Sequence, residues 1–293
     1  MSAIGQRPLA RAEVSLQAGV PSHLGVLDAC SLMIVLVMAA ASSAGLFADV
    51  YRDNTWSTAA FRGTDAATLL FAVPTLVVAL VLARRGSLRA RLVWLGVLAY
   101  DVYNYGFYLF GTAFNDWFLA YAAVLGSSLI VLVFATPRVL PAVAAGPTAP
   151  YRPVGGYLAF VGLMFGLAWT AQAVQAIVQD EPPAVIAKTG IHTSIVFGLD
   201  LTLVVPWLII AGVLLWRRTR AGLLLSVVMN VLAVLYMAAL AVSGAFMADA
   251  GIDASWADPP YLEIGLLSLG ALCWLLPKVR PEPELRRGSD PQE

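Results

Sequence analysis

The sequence predicts an all-α, polytopic membrane helix bundle of about eight transmembrane helices, and three observations carry that reading. The chain of 293 residues is 60% hydrophobic and 12% charged, where a soluble domain carries roughly 25% charged residues and about 45–50% apolar ones. Apolar runs long enough to cross a hydrocarbon core of about 30 Å, at roughly 1.5 Å per residue, recur along its length. Lysine and arginine alternate in density between successive connections, as the positive-inside rule requires. Lipid offers the backbone no hydrogen-bond partner, so runs of this kind form helices.

The elements follow in order. A polar N-terminal segment, 1–23, precedes the first span at 24–48. That run is far longer than the 7–15 residues of a signal-peptide core, so it reads as a retained helix despite the small-residue patch "AAASSAG". The second span, 65–83, carries Val73-Pro74, and the third and fourth are 92–112 and 117–136, joined by the tight turn "FND". The fifth, 154–178, holds a Gly162–Gly166 GxxxG step, a close-packing signal. The sixth, 192–215, carries Val205-Pro206, and spans 223–247 and 261–277 complete the domain at 24–277. The tail 282–293 is charged and proline-rich, and reads as disordered. Both prolines are expected to kink their helices and free a carbonyl.

With the N-terminus cytoplasmic, only Arg52, Arg62 and Lys188 of the basic residues fall on outer connections. The expectation is an inner plasma-membrane protein with both termini cytoplasmic. A four-helix unit recurs: "VPTLVVALVLARR" at Val73 matches "VPWLIIAGVLLWRR" at Val205, and "PRVLP" at Pro137 matches "PKVRP" at Pro277. Repeat halves of about 24–141 and 154–281 would share one orientation, a 4+4 parallel repeat about an axis along the membrane normal.

Polar residues inside the spans single out the candidate site. Asp101 lies about 15 Å along the third span, and Asn104, Tyr105 and Tyr108 share its helical face. Tyr103, Phe107 and Phe110 point elsewhere, toward lipid or neighbouring helices. Asp200 of the sixth span is expected at a similar depth. Gln172 and Gln175 line one face of the fifth span beside Trp169, His192 opens the sixth, and Asp65 marks the outer end of the second. An aspartate at helix centre costs about 2.5–3.5 kcal/mol on insertion scales, which favours carboxylates turned inward. The resulting expectation is an outward-facing polar cavity between spans two, three, five and six. Asp101 and Asp200 form its floor; Asn104, Tyr105, Tyr108, Gln172, Gln175 and His192 form its walls. The structural alternative is that the glutamines and tyrosines hold helices together or sit at interfaces.

Several chemistries are disfavoured. There is no P-loop, no HExxH and no GxSxG pattern. The two cysteines, Cys30 and Cys273, are far apart and form no CxxC. Net charge is zero, with no basic stripe to meet nucleic acid. No cofactor or metal is expected, and the bilayer is the evident partner. The pattern "GTD…VP…RRG…YNYGFYLFGTAFN", Gly63 to Asn115, resembles uncharacterised bacterial multi-pass membrane proteins. That resemblance implies a bacterial inner-membrane location and no particular activity. Three functional classes remain: a transporter or permease-like binder of a small polar or cationic solute, a membrane-embedded enzyme using an outward acid/base pair, and a sensor or accessory subunit.

Overall fold

The computed structural model describes residues 25–144 and 151–281. The N-terminal segment 1–23 and the tail 282–293 lie outside the described residues. Eight long helices follow one another. They are α1 (Val26–Phe47), α2 (Thr55–Arg84), α3 (Leu88–Gly111), α4 (Phe118–Ala142), α5 (Arg152–Gln179), α6 (Ile195–Trp216), α7 (Arg220–Asp249) and α8 (Pro259–Lys278). A short helix, Ala184–Thr189, precedes α6. No strand occurs among the described residues; a single isolated bridge joins Val143 to Pro281.

Seven of these helices are long and apolar enough to cross a membrane, and together they make the chain a multi-pass membrane protein. The exception is α3. Its 24 residues reach roughly 36 Å, but Asp101, Asn104 and its tyrosines lower its hydropathy. The outer surface is what lipid requires: Leu36, Leu70, Val133, Leu167, Ile177 and Leu266 stand exposed. Polarity divides the two ends. The turns 85–87 and 217–219 and the segment around Lys278 are rich in arginine and lysine, whereas the loops 48–54, 112–117 and 250–258 are rich in aspartate.

α7 is the hub, packing on α2, α3, α6 and α8. Small residues allow the close approaches. A Cβ on Gly63 of α2 would lie 2.4 Å from Ser243 Cα of α7, and one on Gly96 of α3 would lie 2.5 Å from Val231. The GxxxG step behaves similarly, with Gly162 set against Val205, Leu208 and Ile209 of α6. α1 packs directly on α4, which closes the first four helices around a filled core. α5 and α8 are joined chiefly by Tyr157, whose hydroxyl lies 2.9 Å from Ser268 Oγ and 3.3 Å from Ile264 O.

Three helix starts differ from expectation. α2 begins at Thr55, ten residues before the apolar run, because the Asn54 side chain caps it by accepting from Ser57 N at 2.9 Å. Its polar first turns are tied to neighbours, Ser57 to the Thr189 carbonyl and Thr64 to Ser243. Asp65 therefore sits about 15 Å along α2 and not at its outer end. α6 begins at Ile195, leaving His192 in a bend before it. α3 begins earlier than expected, at Leu88, with Ser87 capping it.

The two prolines share a local structure. Pro74 follows a π-helical turn at Thr68–Ala72, and Pro206 follows one at Asp200–Val204. Proline supplies no N–H and crowds the carbonyl four residues back; a widened turn absorbs both effects. The correspondence continues along the chain. Each twelve-residue helix after the π turn runs out at paired arginines, Arg84–Arg85 and Arg217–Arg218. Gly86 and Arg218 then take positive φ (86° and 58°), and Ser87 and Thr219 cap the next helix.

Candidate functional site

Asp200 is the membrane-depth carboxylate that lines a cavity. It is buried at the first position of the π turn in α6. Oδ1 accepts from the Tyr103 hydroxyl of α3 at 2.9 Å, and Oδ2 accepts from Trp169 Nε1 of α5 at 2.8 Å. The Trp169 ring is held by stacking on Phe197, centroids 4.6 Å apart. The Tyr103 and Tyr236 hydroxyls lie 2.9 Å apart, so α7 joins the same chain of contacts. Four helices thus converge on one carboxylate.

That carboxylate faces a cavity of about 390 Å³ enclosed by α5, α6, α7 and α8. Five aromatic residues line it: Tyr157, Phe165, Trp169, Tyr236 and Tyr261. Asp200 is the one charged side chain among its described lining residues. A second cavity of about 280 Å³ lies toward the aspartate-rich end, bordered by α2, α3, α7 and the α7–α8 loop. Val196, Tyr236, Leu240 and Tyr261 belong to the walls of both cavities.

A different arrangement surrounds Asp65 in the first four helices. It accepts from the Tyr51 and Tyr108 hydroxyls, the latter at 3.0 Å. The Tyr108 ring packs on Phe61 and Tyr121 at 5.6 and 5.2 Å. Gly45 of α1 leaves the space: a Cβ there would lie 2.0 Å from Asp65 Oδ2. The cluster is closely packed. Above it, burial pushes the Asp53 carboxyl above the usual carboxylate range, partly offset by the Ala113 N–H that Oδ1 accepts at 2.9 Å.

The eight residues expected at the site distribute over several environments. Asp200 lines the larger cavity and Asn104 the smaller one, with Asn104 Nδ2 buried and without a partner among the described residues. Asp101 is fully buried, lines neither cavity, and neither of its oxygens finds a hydrogen-bond partner among the described residues. It therefore does not share a floor with Asp200 in either volume. Tyr105 and Tyr108 belong to the aromatic packing around Asp65, their centroids 5.7 Å apart. Gln172 and Gln175 are exposed on α5, and His192 is exposed ahead of α6; none of the three lines either cavity.

The residues that sequence reasoning missed are instructive. Tyr103 was expected to face away, yet it is buried against Asp200, because the start of α6 packs on that side of α3. Phe107 is half-buried against Phe61, whereas Phe110 is exposed as expected. Tyr236, a lone tyrosine in the apolar run of α7, carried a readable signal: an isolated hydroxyl at membrane depth needs a partner. Asp28, near the arginine-rich end, is paired with Arg84 at 3.4 Å. No group of three His, Cys, Asp or Glu residues able to hold a metal ion occurs among the described residues. No protein-family model, no curated protein and no solved structure matches the chain.

Proposed function

We propose that the chain is a membrane-embedded binder and carrier of a small organic cation, held at Asp200 within the cavity between α5 and α8. One observation carries the reading: an apolar volume of about 390 Å³ whose aromatic walls enclose a single carboxylate. A pocket of this size that is mostly apolar, with a few convergent polar groups, has the character of a small-molecule site. Aromatic faces attract ammonium groups by roughly 0.5–2 kcal/mol each. Asp200 supplies the counter-charge that a desolvated cation requires. Its two hydrogen bonds, from Tyr103 and Trp169, hold the carboxyl group at the cavity wall. An alkylated ammonium with an apolar body fits this chemistry better than a strongly hydrated polar solute.

The reading extends to the whole chain. α3 is an eighth span, since short turns join it to α2 and α4 and it packs on both. The recurring π turn, Val-Pro step, paired arginines and capped helix favour a parallel 4+4 duplication, with the cavity inside the second unit. The arginine-rich end is cytoplasmic and the aspartate-rich end faces outward across a bacterial inner membrane.

The test uses purified full-length protein in sealed proteoliposomes with benzyltrimethylammonium as probe. Saturable uptake that is lost in Asp200→Asn is the expected result. Binding without uptake would reassign the chain as a sensor. Conversion of the probe in detergent would reassign it as an enzyme. Failure to bind any aromatic ammonium would remove the reading altogether.

A further inference from the structure

The smaller cavity has no part in holding the cation, yet its geometry is specific. It reaches the aspartate-rich end between Trp56, Lys188, Asp253 and Asp258, and descends along α7 to Tyr103, Asn104 and Tyr236. At its base it shares the side chains of Val196, Tyr236, Leu240 and Tyr261 with the Asp200 cavity, so a single layer of residues separates the two volumes. Tyr236 of that layer meets Tyr103 of the smaller cavity's wall, their hydroxyls 2.9 Å and their rings 4.6 Å apart. Asn104 is 4% exposed, contributes to the wall of the smaller cavity, and keeps a buried Nδ2 without a partner among the described residues. A buried amide is left without a protein partner only at a cost, and one lining a cavity is available to a polar occupant.

From these features we infer that the smaller cavity is an access vestibule leading to the Asp200 cavity from the aspartate-rich end, and that the Tyr103–Tyr236 pair is the gate between them. The inference rests on the proposed binding role of Asp200 for its purpose but not for its geometry. Asn104 offers an N–H donor to a carbonyl or hydroxyl of the passing solute or to its water. Two aspartates and one lysine at the mouth favour a cation over an anion. The gate consists of one hydroxyl contact and one ring contact, and rotation of Tyr236 breaks both. Because Tyr103 also donates to Asp200, gate position and carboxylate solvation are coupled: opening Tyr236 brings the vestibule to within one side chain of the carboxylate.

Thiol accessibility tests this without any ligand. In a background with Cys30 and Cys273 replaced by alanine, Ala60→Cys, half-buried in the wall of the smaller cavity, reports on the vestibule and Ala233→Cys on the inner cavity. The reagents are a cationic and an anionic methanethiosulfonate of similar size, applied from the aspartate-rich side of oriented proteoliposomes. Expected results are prompt labelling at Ala60→Cys, faster with the cation, and slow labelling at Ala233→Cys. Adding Tyr236→Ala should accelerate labelling at Ala233→Cys several-fold. Tyr236→Phe keeps the ring and removes only the hydroxyl contact, and should give a smaller acceleration; it serves if the alanine variant fails to fold. No labelling at Ala60→Cys overturns the vestibule. Equal rates at Ala233→Cys with and without Tyr236 overturn the gate. Reaction at Ala233→Cys only with a lipid-partitioning maleimide overturns both, and points to access between α5 and α8. Loss of cation binding with this labelling pattern intact would count against the Asp200 reading alone.

Discussion

Asp65 in the first four helices and Asp200 in the second are both buried carboxylates that accept two hydrogen bonds, yet they serve opposite kinds of interior. Around Asp65 the space is filled, with two tyrosine donors, aromatic packing on every side, and a glycine where even a methyl group would collide. Around Asp200 the two donors hold the carboxylate at the edge of an open volume. The register that aligns Val73-Pro74 with Val205-Pro206 makes the contrast concrete. Asp101, Tyr105 and Tyr108 of α3 then fall opposite Ala233, Met237 and Leu240 of α7. Bulky polar side chains occupy the first core, while smaller or flexible apolar ones line the cavity of the second. A carboxylate at membrane depth is therefore not by itself a site; the space beside it decides.

The largest effect that would sharpen this comparison is at the filled centre. Asp65→Leu removes the acceptor of the Tyr51 hydroxyl and leaves Tyr108 only the Phe61 carbonyl at 3.2 Å, at a cost of about 1–3 kcal/mol for the group left unsatisfied, and should lower thermal stability in detergent. If the protein is instead unaffected, the cluster is not the tightly coupled core described. Gly45→Ala should follow, destabilising by roughly 1–3 kcal/mol through overpacking against Asp65; a neutral result would mean that α1 can shift away freely. The smallest effect concerns Asp53, on the loop above this cluster. Burial disfavours its charged form, so the folded state holds the proton to higher pH than the unfolded chain does. Stability at this group is greatest when it is protonated and declines as pH rises from the unfolded value of about 3.9 toward the raised folded value. Asp53→Asn should therefore be more stable than the parent at neutral pH, by less than about 1 kcal/mol. The difference should vanish near pH 4, which thermal unfolding at both pH values would check.

The helical membrane bundle was legible because hydropathy acts over whole helices, where a residue-level error changes little. The site was legible only in part. Asp200 and Asn104 could be singled out as polar residues at depth, and both line cavities. The partners could not be assigned, because which face of α3 meets α6 depends on the packing of helices far apart in sequence, and Tyr103 is the case in point. Nor could the π turns be read. They alter the helical phase within α2 and α6, so a wheel drawn at a constant angle misplaces residues beyond them. Gln172 and Gln175 satisfied every sequence criterion for a polar wall, yet the half of α5 that carries them leaves both exposed.

The most direct test sets the two membrane-depth aspartates of the original expectation against each other. Equilibrium binding of benzyltrimethylammonium to detergent-solubilised protein should be saturable in the parent chain and nearly unchanged in Asp101→Asn. In Asp200→Asn it should weaken by about thirtyfold or more, as expected when a desolvated charge pair worth roughly 2–5 kcal/mol is broken. Equal affinity in Asp200→Asn and the parent, or an equal loss in both variants, would contradict the assignment of the cavity carboxylate as the cation's partner.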